Sequence, residues 1–516
     1  MTGHLFIING DLTHIACDAI LIPTDPDFNI ETPWIDLLAG RTGPTTWSTS
    51  NLEPLDRSGK EPQIWLGNVG LPGESWGFDA FKPTITRFVE KASEVARKVD
   101  DKERIYPWPK PRLAVNVIGS GCGGGFGKKG ELVSGLIQDL QELAEKHDVD
   151  IVLVTFGEKP YAAAQRVRRD VVGDADLGKT WRFGKHASNN LLSEGRRLAE
   201  AAIDSQLVLF IGAGVSAGAG VPMWQALLSD LAKEAEMPAE LIRLLGRRDA
   251  RDQATLIERR LRLRGSTLRD EVVSKLCSLK HYSLQHGLLA SLPSREAITT
   301  NFDKLFETAA RIEQRKLAVL PADPSQAGGH WLLKLHGSID APEKIVLTRS
   351  EYLEMPKRYG ALIGLVQGLL LMRHMMFVGY SLQDEDFHEL IHEVRSARGD
   401  EAGPARGTVL TLFDDGLERD LWEDDLHIVP MTTLAPTPEE VPEAARELEI
   451  FLDLVGFLSS TSAAFFLDPT YESLSNDEAS LREALTHLID LTRGTTRHTV
   501  GHKVRRFLKE LGATEV

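Results

Sequence analysis

An apolar run, Leu207–Ile211, opens directly onto Gly212-Ala-Gly-Val-Ser-Ala-Gly-Ala-Gly220 and then Val221-Pro-Met-Trp224. No polar residue interrupts Leu207–Ile211, so it reads as a strand buried on both faces, which belongs in a parallel sheet. Gly212, Gly214, Gly218 and Gly220 permit positive φ and a close approach of backbone N–H groups to an anion. The stretch 225–236 then has helical periodicity, so a helix N-terminus faces the same place. A strand, a glycine turn and a helix in that order predict a dinucleotide cradle. Gly212, Ala213, Gly214 and Ser216 would hold a pyrophosphate, and Pro222 and Trp224 just beyond them would also bind the cofactor.

Strand-like segments recur at 297–300, 331–335, 376–379 and 408–413, separated by helical stretches. This rhythm predicts an α/β fold, with a Rossmann-like open parallel sheet carrying ligand at its strand C-termini. Each of the first three segments runs into chemistry. Ile298-Thr-Thr-Asn-Phe-Asp303, Leu333-Lys-Leu-His-Gly-Ser338 and Phe377-Val-Gly-Tyr-Ser-Leu-Gln-Asp384 place Asn301, His336 and Gly379 just past a strand. Taken singly, an Asn there reads as a turn residue and a His-Gly as a structural histidine. Taken in order, together with the glycine turn, they read as one site.

These four motifs resemble the sirtuin superfamily over roughly residues 195–430. The resemblance implies NAD+ as substrate and cleavage of the nicotinamide–ribose bond through an oxocarbenium-like transition state. It makes Asn301 and His336 the catalytic pair. Asn301 would reach the ribose and orient a water, and His336 would take a ribose hydroxyl proton. Asp303 would anchor the nicotinamide amide or the Asn301 loop, Thr300 would line the site, and Gly379 and Ser381 would suit the adenosine half. Protein-deacylating sirtuins also carry a four-cysteine zinc module. This chain has three cysteines, Cys17, Cys122 and Cys277, so no such site can be built, and no metal is expected. The pattern looks like sirtuin-like NADases of bacterial antiviral defence. A deacylase or ADP-ribosyltransferase, and a non-catalytic nucleotide sensor, are the alternatives.

Residues 1–170 form another α/β pattern, with strand-like runs at 5–9, 19–22, 113–118 and 151–155. Ile8-Asn-Gly-Asp11 with Asp18-Ala-Ile20 looks like the start of a macrodomain, and Gly119-Ser-Gly-Cys-Gly-Gly-Gly125 falls where that family binds phosphate. The family's Asn-Ala-Ala-Asn loop is replaced here by Pro23-Thr-Asp-Pro26. The resemblance implies an ADP-ribose-like signal at Asp18, Gly119, Gly121, Gly123 and Gly124. A nucleotide-sensing Rossmann-like domain is the other reading.

Three domains are expected: 1–185 nucleotide-sensing, 190–435 catalytic, and 436–516 a helical extension. Residues 171–190 read as the linker. Arg166, Arg168 and Arg169 read as a solvated helix face. Ile450, Leu452, Leu454 and Phe457 offer an apolar face for packing across subunits, so a homo-oligomer is expected. A formal charge of −16 argues against a broad grip on nucleic acid. The most apolar stretch, 361–380, is broken by Gln367, Arg373 and His374 and reads as a helix leading into a strand rather than a membrane span. The N-terminus has no basic leader, and a cytoplasmic protein is expected. A partner from a defence operon is a further expectation, since an unrestrained NADase would empty its own cell.

Overall fold

The structure is a computed structural model describing residues 2–513, apart from 39–42, 48–50, 58, 122, 174–176, 313–315, 324–328, 383–384, 399–406 and 495–498. The chain divides into two compact units. The first gathers Met1–Lys185 and Ile450–Val516, with Ile312–Gln314; the second holds His186–Arg311 and Arg315–Glu449.

The first unit is built on six strands: β1 (Leu5–Asn9), β2 (Ala19–Thr24), β3 (Leu52–Pro54), β4 (Gln63–Asn68), β5 (Arg112–Val115) and β6 (Asp150–Thr155). Their order is β1-β6-β5-β2-β4-β3, parallel throughout except where β3 meets β4. Helices Phe78–Ala96 and Lys129–His147 cover the sheet with Phe81, Phe88, Leu132 and Leu136, all buried.

The C-terminal residues complete this unit rather than extending from it. The helix Val441–Ser459 carries Asp453 into its interior. That carboxylate, 1% exposed, accepts both Nη groups of Arg168 at 2.9 and 2.8 Å and the Trp181 indole N–H at 2.8 Å. His4 Nε2 lies 2.9 Å away. Burial alone would raise the Asp453 pKa; the Arg168 charge and the His4 contact outweigh it and hold the carboxyl well below the usual range.

Three expectations change here. Arg168 is a buried ion-pair partner, and Arg166 and Arg169 bind Glu478 and the Ser460 carbonyl, so this helix face is not solvated. Trp181, inside the supposed linker, is fully buried against Phe457. Ile450, Leu452, Leu454 and Phe457 are core residues of their own chain, so they are not available to another subunit.

The second unit is a seven-stranded sheet, parallel at every pairing: β7 (Leu207–Ile211), β8 (Glu296–Thr299), β9 (Leu317–Leu320), β10 (His330–Lys334), β11 (His374–Val378), β12 (Gly407–Phe413) and β13 (His427–Thr432). Their order is β13-β12-β11-β7-β8-β10-β9. Every residue of β7 is buried, as expected for a strand covered on both faces. β13 tolerates Pro430 because an edge strand has N–H groups to spare. After β7 the chain builds outward on one side and returns on the other, so the order reverses between β7 and β11. A crevice opens at the C-terminal ends of such strands. Among the described residues no helix is long and apolar enough to cross a membrane. The stretch 361–380 is the end of helix Arg349–Met372 and the strand β11.

Candidate active site

The register aligns the ends of four strands. Ile211 pairs with Thr299 and with Val378, and Thr299 with Lys334. The next residues are therefore Gly212, Thr300-Asn301, Leu335-His336 and Gly379, side by side along one edge. Motifs far apart in sequence thus become neighbours.

The glycines serve this closeness first. A Cβ on Gly212 would meet the Gly379 carbonyl oxygen at 2.3 Å, and one on Gly214 the Gly379 Cα at 2.8 Å. Gly379 has φ +64°, and a Cβ there would meet the Val215 nitrogen at 2.5 Å. The Gly212 and Gly214 N–H groups donate to Val378 and Gly379 carbonyls at 2.9 and 2.8 Å, and Ser216 N–H to Ala213 at 3.0 Å. These expected pyrophosphate donors are engaged within the protein. Replacing Gly379 with alanine is expected to lower unfolding stability by about 1–3 kcal/mol. Chemical denaturation would measure it, and an unchanged midpoint would contradict the contact.

Behind the edge lies a buried polar cluster. The Asn301 amide donates to the Gly212 carbonyl at 3.1 Å and to Ser216 Oγ at 3.2 Å. Ser216 Oγ donates to Asp303 at 2.9 Å, and His286 Nε2 lies 3.4 Å from the same hydroxyl. Asp303 also accepts the Leu305 N–H at 2.9 Å, so its carboxylate holds the Asn301 loop. Burial pushes the His286 imidazole down to about 4, so it is neutral at physiological pH. Lys334 pairs with Glu307 at 3.0 Å and donates to the Asp303 carbonyl. Ser283, whose Oγ donates to the Val215 carbonyl at 2.7 Å and lies 2.8 Å from His286 Nδ1, was missed from sequence, as were His286, Lys334 and Glu307. A lysine inside the apolar strand Trp331-Leu-Leu-Lys-Leu335 was the available signal.

Asn301 is 9% exposed, and its Oδ1 has no hydrogen-bond partner among the described residues. A buried amide oxygen left unsatisfied costs about 1–3 kcal/mol, and such exceptions ask for a reason. His336 and Thr300 line a cavity of about 230 Å³, together with Phe210, Tyr380, Phe387 and Glu389. The Tyr352 ring meets His336 edge-on at 5.4 Å. Trp224 packs edge-on to Phe302 at 6.1 Å, whereas Pro222 and Ser381 are exposed. Gln383 and Asp384 lie outside the described residues. Among the described residues there is no cluster of three or more potential metal ligands.

In the first unit the expected ligand residues do not come together. Asp18 precedes β2, while the glycine loop follows β5, and the two strands run parallel. They therefore sit at opposite ends of the sheet. Asp18 is buried, accepts the Arg112 N–H at 2.9 Å and lies 3.6 Å from Arg104; burial raises its pKa despite these contacts. In the loop, Gly119 has φ +76° with Phe81 against it, and Gly123 and Gly124 lie against Val69 and Trp76. Gly124 N–H donates to Val69. A Cβ on Gly121 would meet nothing within 4 Å. Cys122 lies outside the described residues.

Within the second unit, residues 295–431 match the family profile of the SIR2-like domain. Among relatives, NAD(+) hydrolase ThsA of Cytobacillus dafuensis is 26% identical over 215 residues, covering 40% of this chain and 41% of that protein. Defense-associated sirtuin 2 of Bacillus subtilis is 24% identical over 219 residues, covering 41% of this chain and 21% of that protein. The chain thus spans about two-fifths of the first relative and a fifth of the second. Among solved structures, a mutant of the Oceanobacillus iheyensis macrodomain matches at 16% identity with a TM-score of 0.24, covering 33% of this chain and 92% of that one.

Proposed function

We propose that this chain hydrolyses NAD+, releases nicotinamide and acts as an antiphage effector. The observation that carries the reading is the buried, unpartnered Asn301 Oδ1, one residue past Thr300, which lines the same cavity as His336. The likeness to an NAD(+) hydrolase and to a defence-associated sirtuin supports it. Nicotinamide is a cationic leaving group, so bond breaking needs neither a strong acid nor a metal. The protein's task is to shelter positive charge at C1′ and supply a water. Asn301, its Nδ2 tied to Gly212 and Ser216, presents a fixed acceptor oxygen to a water or ribose hydroxyl. His336 takes the proton as the new C–O bond forms. Asp303 acts through Ser216 as a positioning residue. Pro222, Trp224, Gly379 and Ser381 are proposed to surround the dinucleotide, with Ala213 N–H on its phosphates.

The test is nicotinamide release from NAD+ by the purified full chain, with and without added nucleotides. No release under any of these conditions would overturn the reading. We further propose a cytoplasmic homo-oligomer gated by a nucleotide or a defence partner. The gating ligand is an ADP-ribose-like molecule held by the loop Gly119–Gly125, where Gly121 leaves open space. Calorimetry of the full chain with ADP-ribose is expected to give saturable heat in the micromolar range. No heat at millimolar ligand would remove the sensing role.

A further inference from the structure

The backbone at His336 is pinned at two points. The His336 carbonyl accepts the Val346 N–H at 3.0 Å. Gly337 follows at φ +91°, where a Cβ would meet the Lys344 carbonyl oxygen at 2.7 Å. Neither contact sets the imidazole ring, because the outer torsion of a histidine is broad. A general base must nevertheless point at the proton it takes. The Tyr352 ring stands 5.4 Å from the imidazole at 83°, and this edge-to-face pair limits how the imidazole turns.

Tyr352 lies near the start of helix Arg349–Met372 and outside the four motifs of the site. Met355 and Pro356, at i+3 and i+4, share its helix face and line the cavity with His336. The Arg251 guanidinium backs the Tyr352 ring at 4.4 Å from its centroid. Arg251 opens the helix Ala250–Arg262, and this helix is tied to the start of the other one. The Arg349 guanidinium pairs with Asp252 at 2.5 Å and with Asp249 at 2.7 Å, and the Arg349 N–H donates to Thr255 Oγ at 3.2 Å. A capping box between Thr348 and Glu351 fixes the same turn. We propose that Tyr352 is a positioning residue: it holds the His336 ring in the orientation that takes the proton, and Arg251 holds Tyr352. The inference rests on the NAD+ hydrolase reading and adds to it a residue that acts only through His336.

The test measures nicotinamide release from NAD+ by variants of the full chain, with kcat and KM separated. Tyr352→Phe keeps the ring and is expected to stay within about 3-fold of the wild-type kcat. Tyr352→Leu removes the ring and is expected to lower kcat by about 10–100-fold, as small misplacements of a reacting group do. Its KM should change by less than about 3-fold, since no contact to NAD+ is lost. Added to His336→Ala, Tyr352→Leu should lower the rate no further, because the group it positions is already gone. A residue that merely supported the fold would cost the His336→Ala chain as much again. A Tyr352→Leu chain at the wild-type kcat, a Tyr352→Phe chain as slow as Tyr352→Leu, or a further loss on top of His336→Ala would each overturn this inference and leave the hydrolase reading standing. A wild type that releases no nicotinamide would overturn both.

Discussion

His336→Ala is expected to lower nicotinamide release by about 10²–10⁴-fold, the usual contribution of a general base. His336 lies two residues past β10, lines the cavity and is buried. Asn301→Ala should lose as much or more, since it removes both the free Oδ1 and the link through Ser216 to Asp303. The two roles are separable. Asn301→Asp keeps the shape but replaces the Nδ2 donor by an acceptor facing the Gly212 carbonyl, so it should fail as badly as alanine. Measured kcat and KM for NAD+ decide the matter. If both alanine variants turn over NAD+ at near wild-type rates, the site lies elsewhere.

Asp453→Ala is expected to be the most destabilising single change in the first unit, by about 3–5 kcal/mol, because it leaves the buried Arg168 charge uncompensated. Urea unfolding of the wild type and variant would read it. The double change Asp453→Leu with Arg168→Met should recover most of the loss, since both charges leave together. The pH dependence has a definite sign. Arg168 and His4 hold the Asp453 carboxyl below its unfolded value, so its stabilisation is full above that unfolded value, about 3.9, and is lost as pH falls through the folded one. The variant's stability should therefore fall less steeply below pH 4 than the wild type's. An Asp453→Ala protein as stable as wild type would show that the network contributes nothing.

Local sequence placed most of the strands. Leu5–Ile8 and Leu207–Ile211 are fully apolar and bounded by turn residues, so both ends were readable. The strands β3, β4, β9 and β13 were missed: β3 and β9 are runs of three and four residues, and Gly67 and Pro430 break the local pattern of β4 and β13. The catalytic candidates were legible because each follows its strand within two residues. The buried layer beneath them was not, because Ser216, His286 and Asp303 come from separate elements and meet only in three dimensions. Asp18 and the Gly119–Gly125 loop looked like one site in sequence. Parallel pairing puts them at opposite ends of the sheet, since one precedes its strand and the other follows.

By itself the sequence determined most of the strands, the glycine turns that follow them, and that no four-cysteine zinc site can form. These follow from periodicity, glycine placement and composition, which act over a few residues. Only the tertiary structure decided the order β11-β7-β8-β10, which brings four separate motifs to one edge of the sheet. It alone decided that Arg168 is buried rather than solvated, and that the tail's apolar residues fill their own chain. A charge or an apolar side chain carries no local record of its partner. Arg168 and Asp453 are 285 residues apart, and only folding brings them together where low dielectric makes the pairing matter.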